Sequence, residues 1–424
     1  MRPAHLPSGM SRVAAAITSH TTNRNCHILR HVLLFITTWA TKEVNSKSLH
    51  SSSAGLPREA LNQTELRRWV KKPGKAILKI NRIVRPPGYP DTGAVAYEPS
   101  EVERKWLTGD RKGRLCATAS EPSMQEAAKV WLSYSAHGAV WAPAGHSPPR
   151  PTAEQAEVLS HFVVEANGHE YKKPIEPLHG IARHPFGLHK RPMGGCSSVP
   201  AGAAGAGLFD ITYLVIHNDC GRQAVAGNPK PRVLLFDMGV SEGFKGIRSG
   251  IPATVSSGGG ISPSMPLFYR LYQDRCLEPD AVFGWELNKR ISATQWWGDA
   301  GPEIRNKVRF YEVPVMEGEL HEAMQGKRNP NSFLQMLKDV AKPEDFVAVK
   351  LDIDTPAIEQ TIVSVLTHRP DLASLIDEMF FEYHFYFDGL DFGWGGKNIK
   401  GDVDTALGTM HRLRALGIRA HFWI

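Results

Sequence analysis

The chain has 424 residues, 42% of them hydrophobic, and a formal net charge of +7. That length allows one large domain with extensions, or two domains, and the composition can bury a sizeable core. The positive charge does not define a nucleic-acid binder: residues 1–58 hold seven Lys/Arg against the single acid Glu43, so the rest of the chain is close to neutral and lacks the basic footprint that phosphate binding needs.

The N-terminal stretch 1–58 is rich in Arg, Ser and Thr, as in an organellar transit peptide. It also contains an apolar run, 32–36, preceded by Arg24, Arg30 and His31. That arrangement suits a secretory signal or signal anchor with membrane association, although the run is well short of the ~20 residues of a membrane-spanning helix. A disordered basic tail is the third reading, and composition does not choose among the three.

Residues 59–200 read as an N-terminal extension packed on the main domain. One or two helices are expected over 59–83, broken at Pro73-Gly74, and turns over 86–99. A short amphipathic helix is expected over 123–135, an exposed linker over 142–151, and a further helix over 153–163. Residues 171–185 read as an irregular segment whose His179 and His184 match no metal spacing. The five cysteines, Cys26, Cys116, Cys196, Cys220 and Cys276, are scattered and form no C-x-x-C pair. Free thiols are expected, with Cys196 and Cys220 the pair that an oxidising compartment would join.

The third segment, 201–424, alternates strand and helix. A Gly/Ala-rich loop at 200–207 precedes an expected strand at 211–217. The central stretch 231–243 reads PRVLLFDMGVSEG: a continuous apolar run closed by Asp237, Gly239 and Gly243 suits a strand buried on both faces. A long loop with Ser256 to Gly260 follows, then a helix over 267–277. Strands are expected at 281–287, 308–315, 345–354, 377–385 and 418–424, with helices at 331–340, 355–366 and 402–416. Thr355 is the expected cap of its helix and Pro356 suits its first turn. The alternation implies an α/β, Rossmann-like, mostly parallel doubly wound sheet. Acids collect at successive strand ends: Asp237, Glu286, Asp352, Asp354 and Glu382. Those ends share the edge at which open α/β sheets bind ligands.

Three motifs carry a resemblance. They are FDMGVSEG at 236–243, GWE ending in Glu286, and VKLDIDTPAIE at 349–359 with Lys350, Asp352, Asp354 and Glu359. From residue 231 on, the chain resembles the FkbM-like group of class I S-adenosylmethionine-dependent methyltransferases. Asp354-Thr355 stands where that group has Glu-Gly. The loop after the first strand is longer than usual, and only one strand follows the fifth, where the family has two; the expected strand at 211–217 is a candidate for the gap. The resemblance implies S-adenosylmethionine as cofactor, with Asp237, Gly239, Gly243, Ser257, Gly258 and Gly259 shaping its pocket and Glu286 accepting from the ribose hydroxyls. It implies Asp352 beside the sulfonium, and a small hydroxyl or sugar-type molecule as acceptor. His384 is the candidate base, with Glu382 beside it, since imidazole titrates near neutrality. Two other readings compete. One is a divalent-metal enzyme built on Asp352, Asp354, Glu382, His384 and Asp388. The other is a non-catalytic binding protein that keeps the fold. No G-x-G-x-x-G opens the first helix, which argues against a dinucleotide dehydrogenase.

Overall fold

The computed structural model describes residues 78–79, 94–108, 121–136, 152–178, 214–220, 231–244, 254–255, 261–287, 296–315, 327–386 and 401–423, apart from gaps of one or two residues inside several of these stretches. The chain divides into two units, Met1–Glu59 and Ala60–Ile424, and every described residue belongs to the second. The apolar run at 32–36, the stretch 59–77, the linker, His179 and His184, the 200–207 loop, Cys26, Cys116, Cys196, Ser257, Gly258, Gly259 and Asp388 lie outside the described residues. Among the described residues no helix is long and apolar enough to cross a membrane.

Among the described residues the main sheet has six strands: β5 (Val233–Met238), β8 (Ala281–Trp285), β9 (Val308–Tyr311), β10 (Phe346–Leu351), β11 (Glu378–Glu382) and β14 (Arg419–Trp423); β6 (Thr254–Val255) pairs with β7 (Ile261–Ser262), and β12 (Phe385–Tyr386) with β13 (Gly401–Asp402), in two small sheets of their own. The spatial order in the main sheet is β14-β11-β10-β5-β8-β9 and every pairing in it is parallel. Counted along the sheet's own strands this is the doubly wound 3-2-1-4-5-6 arrangement. β5 and β10 are buried at every position, which is why they read as unbroken apolar runs.

Alternate residues of each strand enter different cores. Val233, Leu235, Phe346, Ala348 and Phe380 pack with helix α4 (Ser264–Gln273), through Leu267, Phe268 and Leu271. Leu234, Phe236, Val347, Val349, Met379 and Phe381 pack on the other face with α6 (Phe333–Val340), α7 (Pro356–His368) and α9 (Val403–Ala415). Helices on both faces hide the apolar surface that a parallel sheet exposes on each side.

The earlier part of the chain folds differently from its sequence expectation. β1 (Leu78–Lys79), β2 (Ala94–Glu98), β3 (Ser160–Ala166) and β4 (His169–Ile175) form an antiparallel sheet in that order. The helix expected over 153–163 is one turn, α3 (Ala153–Ala156), held by a capping box between Thr152 and Gln155. After it, His161 to Val164 pair with strands on both sides, and the β-branched and aromatic run follows the ladder. Part of the turn-rich 86–99 stretch is β2, and part of the irregular 171–185 segment is β4. Helices α1 (Glu101–Thr108) and α2 (Pro122–Ala136) complete this part; the one-turn helices α5 (Pro302–Arg305) and α8 (Pro370–Ala373) belong to the later part of the chain.

The strand expected at 211–217 does not form over its described residues. Leu214 to His217 are buried, but side chains replace the ladder: Glu176 Oε2 accepts from the Val215 amide at 2.9 Å and Glu378 Oε1 from the His217 amide at 3.0 Å. The sheet therefore gains no strand from it. The cysteine expectation also fails: Cys220 is bonded to Cys276, with Cα atoms 5.0 Å apart. Neither is a free thiol, and Cys196 is not the partner of Cys220.

A buried ionic network ties the antiparallel sheet to the main one. Glu103 of α1 accepts from Tyr97, from Ser160 Oγ at 2.6 Å and from Arg414 Nη1 of α9 at 3.3 Å, and lies 2.8 Å from His411 Nδ1. Arg414 also donates to the Glu176 carbonyl at 2.7 Å and to its carboxylate at 3.2 Å. His421 of β14 sits between Glu176 and Glu378, its two ring nitrogens 2.6 and 2.9 Å from their carboxylates. Burial opposes a charge on His421, but the two acids outweigh it and raise its pKa.

Candidate functional site

The crossovers leave β5 and β10 in opposite directions, β5 leading to β8 and β10 to β11. A crevice opens at the carboxyl ends where neighbouring strands diverge in this way. Strand register fixes what lines it. Met238 pairs with Trp285 and Leu351, Leu351 pairs with Phe381, and Glu382 pairs with Trp423. One residue further along, Glu286, Gly239, Asp352, Glu382 and Trp423 form a single row across five strands. The Gly239 amide donates to the Trp285 carbonyl at 3.0 Å and the Asp352 amide to the Met238 carbonyl at 3.1 Å, closing that row. Glu286 and Asp352 stand two strands apart, about 10 Å from the usual strand spacing.

Below the row lies a buried triad. Lys350 Nζ is 2.9 Å from Asp352 Oδ2 and 3.3 Å from Asp237 Oδ1, and donates to the Gly239 carbonyl at 3.1 Å. Asp237 Oδ2 accepts from Ser264 Oγ at 2.7 Å, at the start of α4. Trp423 Nε1 donates to Asp352 Oδ2 at 3.2 Å. Burial disfavours the lysine's charge, yet the two carboxylates more than offset it and raise its pKa. Burial pushes Asp237 up against the pull of Lys350. Asp352 keeps 19% of its side chain exposed where Asp237 keeps 3%, so of the two it is Asp352 that faces the crevice.

The glycines serve the interior. Gly239 has φ +96°, and a Cβ there would stand 1.6 Å from the Asp352 carbonyl oxygen. Gly243, at φ +56°, would meet the Trp296 carbonyl oxygen at 2.2 Å. Both conformations belong to the region that favours glycine. The room beside these α-carbons is filled by protein, and the Gly239 amide and carbonyl are both hydrogen-bonded within the chain.

A second group of acids follows β10 and β11. Glu382 and His384 are buried, with Oε2 and Nε2 2.9 Å apart. Asp354 is exposed and has φ 54°, a left-handed conformation that Asp tolerates better than most residues. Ligand atoms of Asp354, Glu382 and His384 all lie within 4.8 Å of one another. Glu359, in the first turn of α7, is buried, and its Oε1 accepts from the Ile353 amide at 2.8 Å. Thr355 is the N-cap residue of this helix, as expected, but its hydroxyl donates to the Ile353 carbonyl and makes no cap bond. Burial, with Asp352 and Asp354 nearby, pushes Glu359 up to about 8. Burial and then repulsion from Asp352 and Glu359 raise Glu382 well above the usual carboxylate range. Burial lowers His384 to about 4, so its ring is neutral at physiological pH.

The structure therefore brings Glu286, Asp352, Glu382 and His384 to one edge, with Asp237 just beneath. Of the metal set, Asp354, Glu382 and His384 converge. The sequence reading gave no role to Ser264 or Trp423, and Lys350 and Glu359 entered it only as motif positions. The available signal was a lysine inside an apolar strand and flanked by acids, since such a charge is buried only when paired.

Fold and edge together define a doubly wound α/β protein with an acidic crevice at its switch point. Comparison of the chain with models of protein families, with curated proteins and with solved structures finds no match.

Proposed function

We propose that the crevice binds S-adenosylmethionine and that the protein is a class I methyltransferase acting on a hydroxyl-bearing small molecule. The observation that carries this reading is the row of strand ends. Glu286 and Asp352 are level in register, on either side of Gly239, and separated by a span of nucleoside size. A carboxylate at Glu286 can accept from both ribose hydroxyls. Asp352 supplies negative charge where a sulfonium would lie, and Lys350 and Trp423 hold that carboxylate in one orientation. Fixed charge of this kind stabilises a reacting cation without reorganisation. When bound, the cofactor would supply an electrophilic methyl group; the protein's task is to hold acceptor and methyl in line and exclude water. Glu382 and His384 lie at the acceptor end of the row.

Calorimetric titration of the full chain with S-adenosylmethionine is expected to show one site per chain. Glu286→Ala is expected to weaken that affinity at least tenfold while leaving the thermal melting curve in place. Unchanged affinity in the variant would remove the ribose assignment, and no heat at saturating cofactor would remove the reading itself.

A further inference from the structure

We propose that Asp354, Glu382 and His384 form a divalent-cation site at the carboxyl end of β11. Asp354 lies in the loop after β10, Glu382 is the last residue of β11 and His384 follows it, yet their ligand atoms lie within 4.8 Å of one another. One ion bound at about 2.0–2.2 Å per ligand spans nearly that distance, so a small side-chain closure completes the set.

The surroundings favour a cation independently of that geometry. Glu359 Oε2 is buried and has no hydrogen-bond partner among the described residues. Glu382, one of the three proposed ligands, is buried as well. Buried carboxylates gathered in this way are expensive unless a cation or a proton neutralises them. Lys350 does not fill that need, because it is already paired with Asp237 and Asp352. Asp354 is exposed, which gives an ion a way in from solvent.

The donor set indicates the class of ion. One imidazole with two carboxylates and no thiolate suits a first-row divalent ion better than soft copper(I) or an all-oxygen calcium site, and Mn2+, which accepts carboxylate ligands, is the paramagnetic probe for it. The site does not depend on the cofactor reading above. On that reading, the ion would sit at the acceptor end of the row, where it could hold a hydroxyl oxygen.

The test uses the full chain, stripped with chelator and titrated with MnCl2 alone, with free Mn2+ followed by electron paramagnetic resonance. One site per chain is expected, with a nitrogen coupling in the pulsed spectrum from the His384 ring. His384→Gln should abolish that coupling, and Asp354→Asn should weaken Mn2+ at least tenfold. Asp354 is exposed, so its variant keeps the fold and the comparison stands even if the His384 variant is unstable. Absence of Mn2+ binding at millimolar concentration would overturn the proposal, as would an Asp354→Asn affinity equal to that of the parent.

Discussion

Lys350→Met is expected to destabilise the protein by about 3–5 kcal/mol, the cost typical of removing one partner from a buried ion pair. The lysine's side chain is 2% exposed and bridges Asp237, Asp352 and the Gly239 carbonyl. Methionine fills similar space but leaves Asp237 buried without its counter-charge. Burial already raises the Asp237 pKa with Lys350 in place, so losing the lysine raises it further. The sign of the pH dependence follows. A carboxyl whose folded pKa lies above its unfolded value destabilises the fold at high pH; the penalty starts to shrink as pH falls through the folded value and is gone below the unfolded one. The variant's deficit should therefore shrink between pH 7.5 and pH 5, and Lys350→Met combined with Asp237→Asn should recover part of it at pH 7.5. Urea unfolding at both pH values measures this; equal midpoints for variant and parent at pH 7.5 would show that the triad does not hold the crevice together.

Arg414→Met is expected to cost a similar amount, about 3–5 kcal/mol, and to act where the antiparallel part of the chain meets the main sheet. Arg414 is fully enclosed and joins Glu103 to Glu176, two acids from the antiparallel part of the chain. Burial pushes Glu103 up, but the hydrogen bond from His411 and the charge of Arg414 outweigh it and hold the carboxyl at about 2. That lies below an unfolded glutamate near 4.3. Glu103 thus stabilises the fold above pH ~4.3, and this stabilisation is lost as pH falls toward 2. Without Arg414 the Glu103 pKa rises and the acid transition should move to higher pH. Circular dichroism during acid titration reads the shift, and limited proteolysis should cut the 94–175 region earlier in the variant. An unmoved acid transition would mean that the network adds little to the docking of the two sheets.

The two halves of the chain were unequally legible in the sequence. β5 and β10 are Val/Leu/Phe runs with abrupt acid or glycine ends, and a strand buried on both faces leaves that trace. Helix α7 follows β10 and α9 precedes β14 where their sequences place them, so the parallel sheet could be read, and the alignment of Glu286, Asp352 and Glu382 along one edge followed from it. β4 left no such trace. It reads HEYKKPI, with charges and a proline, and becomes a strand because β3 pairs with it. Glu103, Arg414 and His421 read as ordinary charged residues; only tertiary folding across some 300 residues brings Glu103 and His411 together. Glu359 belongs to the same class, an acid on a helix that looks solvated in sequence and is enclosed in the fold. The Cys220–Cys276 bond was illegible for a related reason: a separation of 56 residues carries no spacing signature.

If the strand-end carboxylates frame a nucleoside site, a crystal structure with S-adenosylhomocysteine will show it. Ribose oxygens are expected within about 2.7–3.2 Å of the Glu286 carboxylate, with the sulfur on the Asp352 side of Gly239. Ligand density seated away from the β5–β10 crevice, or an empty crevice in crystals soaked at saturating concentration, would contradict that reading.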